Sequence, residues 1–442
     1  MAIQLSDHFT YRKLLRFVFP SIIMMIFTSI YGVVDGFFVS NFVGEEAFEA
    51  VNFIMPFLML PGALGFMFGT GGSALIAGKL GEGDPKTANR YFSLLIYVGI
   101  TLSIVLAAVC IVFLRPITLW LGADDSMLDY CLRYGRIILA ALPALVLQFM
   151  FQSFFVTAEK PKLGLFFTLA AGFTNIILDF LLIGVFHMDM EGAALATAAS
   201  QVVGGVLPLF YFFAKNKSLL RLGKTGWDSI ALCKTCVNGS SELMTNLSMS
   251  LVNMLYNFQL MRYIGNDGIA AYGTMMYVNF IFISVFIGFA VGSAPIVSYH
   301  FGAKNRDELK NLLKKSIVFN LVCSIVMFAL ALALARPLSI LFVGYNRELL
   351  EITVHGFILY SLSFLLMGFN IYASSFFTAL GNGVVSAAIS FLRTLLFQVA
   401  GVLLLPLIWE ADGIWLSIVM SEAAALIISI LFLMKNQKRY GY

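Results

Sequence analysis

The chain has 442 residues, 60% of them hydrophobic and 12% charged, with a mean hydropathy of +0.91. A soluble globular chain is about one-quarter charged, so the soluble classes are excluded, and four histidines leave little from which to build hydrolytic or metal chemistry. The net charge of +4 is small, and no basic stretch carries the interleaved aromatics of a nucleic-acid module.

A helix that spans a bilayer needs ~20 mostly apolar residues. Twelve stretches meet that demand: residues 15–40, 48–76, 92–114, 132–158, 163–186, 193–214, 235–262, 269–299, 316–334, 352–379, 384–408 and 414–434. A β-barrel would instead show short alternating strands. The predicted fold class is therefore an all-α polytopic membrane protein with twelve transmembrane helices. The first apolar run is too long for a cleaved signal peptide and reads as a retained helix. Counting loops from an inside N-terminus, 21 Lys and Arg fall on the inner side and six on the outer, with Arg393 inside the membrane. That bias predicts a multi-pass cell (inner) membrane protein with both termini in the cytoplasm. The five cysteines are scattered, and Cys233 with Cys236 forms a CxxC without a second ligand pair, so both read as reduced thiols.

Taken in order, residues 5–16 form a short, mildly amphipathic segment for the membrane interface. Pro20 follows early in the first span, where a missing backbone donor leaves either a bending point or a static kink. Asp35 stands in the apolar run IYGVVDGFFVS. The second span holds Pro56, Pro61 and the small-residue run GALGFMFGTGGSA, a surface for close helix packing. Gln148 and Gln152 are four apart in the fourth span, on one face, and either line a cleft or tie helices together. The fifth span, around TNIILDFLLIG, places Asn175 and Asp179 one turn apart on one face. An ionisable group at that depth costs ~2.5–3.5 kcal/mol on insertion scales, so it faces protein or a wet cavity. Thr197 and Gln201 repeat the spacing of four in the sixth span. In the second half, Glu242 reads as the start of the seventh span, His355 as a polar residue near the outer face, and Arg393 with Glu422 as a buried pair.

Sliding the chain against itself by half its length aligns Gly44 with Gly265, Gly71 with Gly292, Gly81 with Gly302, and Arg115-Pro116 with Arg336-Pro337. Each half holds six spans, an even number, so the halves enter from the same side as a parallel internal repeat. We expect an N-terminal six-helix lobe over residues 1–220 and a C-terminal lobe over 221–442, joined by the basic linker 215–227. At the same offset Asp35 falls on Tyr256, Asn175 on Leu396, Asp179 on Ala400 and Thr197 on Ile418. Groups needed only for packing would be expected to survive in both lobes. Their confinement to one lobe favours a specialised site there over structural polar pairing.

Pro20 with VVDGFFVSNFVG, TNIILDFLLIG, MEGAALATAASQ, the hairpin loops FFVTAEKPKLG and FFTALGNG, and SFLRTLL occur in this order within twelve spans and a half-chain repeat. Together they resemble the multidrug and toxic compound extrusion (MATE) family, in its DinF-like and MepA-like bacterial branch. The resemblance covers nearly the whole chain. The acidic stretch GEEAFEAVNF and the turn TAEKPKLG depart from it.

What the resemblance implies is an antiporter, not an enzyme. It would export organic, often cationic lipophilic compounds in exchange for H+ or Na+, by alternating access of two lobes. It implies a cation site made by Asp35, Asn175, Asp179 and Thr197, with helix one bending at Pro20. Gln148, Gln152, Gln201, Tyr256, Arg393 and Glu422 remain cleft or structural polar residues. No cofactor is expected, and no metal beyond Na+ at the cation site. The expected partners are a small-molecule organic substrate and the lipid bilayer, with no nucleic acid, for a chain acting as a monomer. The alternative of the same broad fold is a flippase for lipid-linked saccharides or other amphipathic lipids.

Overall fold

The computed structural model describes residues 3–38, 42, 43 and 45–442. Residues 39–41 and 44, from the end of the first predicted span and the acidic stretch after it, lie outside the described residues. The N-terminal half comprises α1 (Tyr11–Phe38), α2 (Glu45–Gly81), α3 (Pro85–Trp120), α4 (Asp125–Ala140), α5 (Leu142–Thr157), α6 (Pro161–Asp179) and α7 (Asp189–Phe213). The C-terminal half comprises α8 (Ser229–Tyr263), α9 (Asn266–Gly302), α10 (Arg306–Val343), α11 (Arg347–Ser361), α12 (Phe364–Ala379), α13 (Gly383–Phe391), α14 (Phe397–Leu404) and α15 (Pro406–Tyr440). π-helical turns interrupt this order at Phe180–Val185 after α6 and at Leu392–Leu396 between α13 and α14.

Among the described residues, nine helical stretches are long and apolar enough to cross a membrane, and the bent pairs α4/α5 and α11/α12 bring the number to eleven. The twelfth span is α8. Its 35 residues reach about 50 Å at ~1.5 Å per residue. It falls short on hydropathy because one face is built from Thr235, Asn238, Gly239 and Ser241. That face is buried in protein, so it meets no lipid. A β-carbon on Gly71 would lie 2.2 Å from the Thr235 carbonyl oxygen, and Asn238 Oδ1 accepts the Gly383 N–H at 3.0 Å. Small residues permit this approach and polar ones find partners within it.

The helix also starts earlier than its hydropathy predicts. Asp228 caps it, accepting the Ala231 N–H at 3.0 Å. Glu242 therefore sits well inside α8 and faces Arg393, and is not at the helix start as the sequence reading has it.

The fourth and tenth spans are each broken in two, by 55° between α4 and α5 and by 49° between α11 and α12. The first break falls at Ala141, and Pro143, which has no N–H to continue the preceding helix, stands in the first turn of α5. The second falls at Leu362, the half-chain counterpart of Ala141, without a proline. The bend thus belongs to the repeated architecture.

The lobes meet through a reciprocal arrangement in which α1 lies along α9 and α2 along α8. They come closest at the end that carries both termini. There the segment ahead of α1 wedges between them, with Leu5 and Phe9 fully buried. The Leu5 N–H donates to Glu159 of the N-terminal lobe at 2.6 Å, and the Phe9 N–H to Glu308 of the C-terminal lobe at 2.9 Å. His8 Nδ1 lies 2.6 Å from the same Glu308, and Asn311 and Lys315 both donate to the Phe9 carbonyl.

The inter-lobe linker is pinned along α3. Arg221 N–H donates to Asn89, Gly223 N–H to Ser93 at 3.0 Å, and Tyr97 donates to the Gly223 carbonyl at 3.1 Å. Arg90 pairs with Asp228 at 3.1 Å.

Candidate functional site

Three helices of the N-terminal lobe converge on Asp35. It sits near the end of α1 distant from the chain terminus. Packing of α1 against α6 is close because Gly172 has no side chain; a β-carbon there would lie 2.3 Å from the Phe27 ring. Asn175 and Asp179, one turn apart on α6, are 1% and 0% exposed. Asn175 Nδ2 donates to Asp35 Oδ1 at 3.5 Å, and Thr197 Oγ1 of α7 donates to the same oxygen at 3.3 Å. The Asp179 carboxyl stands beside that of Asp35. The four residues singled out in the sequence are therefore brought together.

Both bonds to Asp35 are long, and both carboxylate oxygens of Asp179 and Oδ1 of Asn175 are buried with no hydrogen-bond donor. Buried acceptors are nearly always satisfied, and each exception calls for an explanation. Among the described residues no Lys or Arg forms an ion pair with either carboxylate. No group of three or more His, Cys, Asp and Glu converges there as a soft or borderline metal would need. Two carboxylates, an amide oxygen and a hydroxyl make a hard-oxygen set that suits a proton or Na+. Two acids this close repel when both are charged, and a bound cation removes the repulsion.

The local backbone is unusual at the same point. Asp179 is the last residue of α6, and the π-helical turn Phe180–Val185 starts directly after it. The second lobe repeats the association with a different charge, because Arg393 lies inside the π-turn Leu392–Leu396. Such turns widen the helix by one residue and recur at functional positions.

Sequence reasoning missed two tyrosines. Tyr134 of α4 is 1% exposed, with its hydroxyl near Thr197 and both aspartates. Tyr31 of α1 lies between Asp35 and Gln148. A weak signal was available for Tyr134, a phenol inside the fourth predicted span whose repeat counterpart is His355.

The other predicted polar residues fall into two groups. Gln148, Gln152 and Gln201 are buried in the N-terminal lobe. Gln148 packs on Gly204 of α7 and adjoins Tyr31, which stands near Asp35. In the C-terminal lobe Arg393 Nε lies 3.7 Å from Glu422 Oε1, while Glu422 Oε2 accepts Asn370 Nδ2 at 2.7 Å. Ser429 donates to Asn370 Oδ1 at 3.0 Å, completing a chain of partners. Tyr256 hydrogen-bonds Ser417 at 2.6 Å and stacks on Tyr272. Tyr256, Tyr272, Arg393 and Glu422 border a small cavity of about 60 Å³. Pro20 lies within α1, which runs as one helix past it. His355 Nε2 lies 2.8 Å from Asp412 at the exposed edge of the lobe.

Comparison with known proteins adds three findings. The family model described as MatE matches the chain twice, over residues 20–181 and 243–403, once in each half. A multidrug export protein, MepA, of Staphylococcus haemolyticus (strain JCSC1435) is 26% identical over 362 residues, which is 80% of each chain. Among solved structures, an outward-facing multidrug resistance MATE family transporter of the MOP superfamily superposes with a TM-score of 0.93 at 20% identity, over 100% of this chain and 98% of that one. A MATE structure in complex with MaL6 gives 0.92 at 20% identity, over 98% of each.

Proposed function

Because the chain belongs to the MatE family of membrane transporters, we propose that it is a cation-coupled antiporter that exports organic, often cationic lipophilic compounds in exchange for inward H+ or Na+. The observation that carries this reading is the set of buried oxygens without donors on Asn175 and Asp179, next to an Asp35 held by two long hydrogen bonds. The MepA relative is named for multidrug export, which supports the substrate class.

In this reading H+ or Na+ enters among Asp35, Asn175, Asp179 and Thr197. Neutralising the carboxylates removes their repulsion and tightens α1 against α6 and α7. Pro20 gives α1 the point at which it can bend in response. Coupling arises because the cation and the exported compound stabilise different arrangements of the same lobe. Both termini face the cytoplasm, in keeping with the concentration of Lys and Arg at that end. The chain acts as a monomer, since one chain carries both lobes and the cleft between them. Residues 1–220 and 221–442 are the two moving bodies.

A flippase for lipid-linked saccharides would want unpaired cations in the cleft for pyrophosphate. Arg393, the intramembrane arginine, is already engaged by Glu422. The test is ion-coupled efflux in proteoliposomes with pH and Na+ gradients imposed separately. Asp35→Asn and Asp179→Asn are each expected to abolish coupling to the driving gradient. Wild-type coupled efflux from both variants would sink the site assignment.

A further inference from the structure

A second cavity, of about 540 Å³, opens at the end of the N-terminal lobe that carries the chain termini. It lies between the segment ahead of α1, the first turns of α1 and the start of α6, far from Asp35. Three cations line it, Arg16, Lys160 and Lys162. None of the three makes an ion pair or a side-chain hydrogen bond among the described residues. The one carboxylate on its wall, Glu159, is already committed to the Leu5 N–H at 2.6 Å. The first turn of α6 also starts here, with Pro161 at its head and no side-chain cap. A helix N-terminus favours negative charge. The cavity is thus a concentration of idle donors around a volume in the range of small-molecule sites, ~300–1,000 Å³.

Its other wall is apolar. Phe17, Leu163 and Phe166 line it. Phe166 begins a row along one face of α6 that continues through Phe173 and Ile177, at 61%, 54% and 55% exposure. Residues spaced by seven and four share a helix face, and in a membrane protein an exposed aromatic face of this kind is lipid contact. A basic cavity thus opens onto a track suited to acyl chains, at the depth where a spanning helix meets the headgroup region.

We propose that this cavity binds the phosphate headgroup of an anionic phospholipid in the leaflet on which both termini lie, with its chains along the Phe166–Ile177 face of α6. A soluble phosphate would use the cations and leave the apolar wall wet. A neutral phospholipid would use the wall and leave three cations unpaired. Only an anionic lipid satisfies both. The lipid would touch Ile3 and Pro20 together, linking the segment wedged between the lobes to the proline of α1.

The experiment is native mass spectrometry of the full chain, delipidated in neutral detergent and titrated with phosphatidylglycerol, phosphatidylcholine or inorganic phosphate. The wild type is expected to retain phosphatidylglycerol in preference to phosphatidylcholine. The triple variant Arg16→Gln, Lys160→Gln, Lys162→Gln should bind phosphatidylglycerol at least ~10-fold more weakly, because each basic group near a membrane surface contributes separately to anionic-lipid binding. A control triple variant at the same end of the molecule, Lys86→Gln, Lys310→Gln, Lys314→Gln, should bind as the wild type does. Should the first triple variant fold poorly, Arg16→Gln and Lys160→Gln singly are each expected to weaken binding several-fold. Equal phosphatidylglycerol binding by wild type and variants overturns the proposal, as does equal retention of phosphatidylcholine. Displacement of phosphatidylglycerol by an equimolar concentration of inorganic phosphate also overturns it, since the site would then be one for soluble anions.

Discussion

Gly81 of α2 and Gly302 of α9 are counterparts in the two halves and close the same crossing from opposite sides. A β-carbon on Gly81 would lie 2.0 Å from the Tyr299 carbonyl oxygen, and one on Gly302 would lie 2.0 Å from the Gly78 carbonyl oxygen. Tyr299 is itself the half-chain counterpart of Gly78. The pseudo-symmetry of the lobes therefore reaches the individual backbone contacts that hold them together at the terminal end. Gly81→Ala and Gly302→Ala are each expected to destabilise by about 1–3 kcal/mol, the usual cost of overpacking, and by similar amounts. Thermal unfolding in detergent measures both, and a large inequality between them would show that the crossing is not shared.

The wedge ahead of α1 depends on Glu308, which takes the Phe9 N–H, His8 and Asn311 at once while 5% exposed. Hydrogen bonds to a charged group contribute about 1.5–3 kcal/mol each. Glu308→Ala should release the segment from the C-terminal lobe while Glu159 still holds Leu5. Hydrogen exchange of the amides around Phe9 is expected to accelerate at least tenfold, with exchange in the middle of α10 unchanged.

Glu159 gives this region a pH dependence of definite sign. Burial raises its carboxyl above the ordinary value near 4.5, against the opposing pull of the Leu5 N–H and Lys160. A group that binds its proton more tightly in the folded state stabilises the fold at low pH. That contribution is lost as pH rises from about 4.5 through the raised folded value. Glu159→Gln keeps the acceptor for Leu5 and removes the charge. The variant should match the wild type in melting temperature near pH 4 and exceed it increasingly toward pH 7. A difference that shrinks as pH rises would contradict this assignment.

Glu422 offers a contrast with the N-terminal aspartates. It is 1% exposed and partnered by Arg393 and Asn370. Removing one member of a buried ion pair costs up to about 3–5 kcal/mol, less here to the extent that Glu242 still faces Arg393. Glu422→Ala is therefore expected to lower the melting temperature sharply, whereas Asp179→Asn, which relieves repulsion, should leave it equal or raise it. Thermal melts of the two variants, measured together, separate a structural charge from a carboxylate of the proposed cation site.

Tyr134 supplies a finer test of the proposed cation site. Its buried hydroxyl faces Thr197 and both aspartates, and its contact with Thr197 is too long or too poorly aligned to be a well-made hydrogen bond. Tyr134→Phe should cost no more than about 1 kcal/mol of stability, since at most one poorly formed hydrogen bond, to Thr197, is lost. It should shift the concentration dependence of the coupling cation several-fold. An unchanged dependence would place the hydroxyl outside the site.

Much of this fold is legible from hydropathy because lipid imposes it. A run of ~20 apolar residues has few alternatives to a spanning helix, and a repeated Gly or Arg-Pro at a constant offset survives drift in the apolar positions around it. The convergence of Asp35, Asn175, Asp179 and Thr197 was legible for a related reason, since polar residues are costly in such helices and face inward together. What hydropathy hides is set by single residues or distant contacts. A window average cannot register the one extra residue of the π-turn after Asp179. It also places the start of α8 at residue 235, missing the first turns over residues 229–234, which the Asp228 cap sets and an apolar-run window does not see. Phe9 and Glu308 are joined across 299 residues by a backbone N–H, a donor that every non-proline position owns. Tyr134 escaped notice because phenols are ordinary near membrane boundaries.

The docking of the linker on α3 has a mechanical consequence. Residues 219–225 are hydrogen-bonded to Asn89, Arg90 and Ser93 of α3, which leaves little slack before the Asp228 cap of α8. Asp228 is both the cap of α8 and the partner of Arg90. It joins the linker to both lobes at their seam, and in the proposed alternating access a swing of the second lobe would have to turn about that joint or break it.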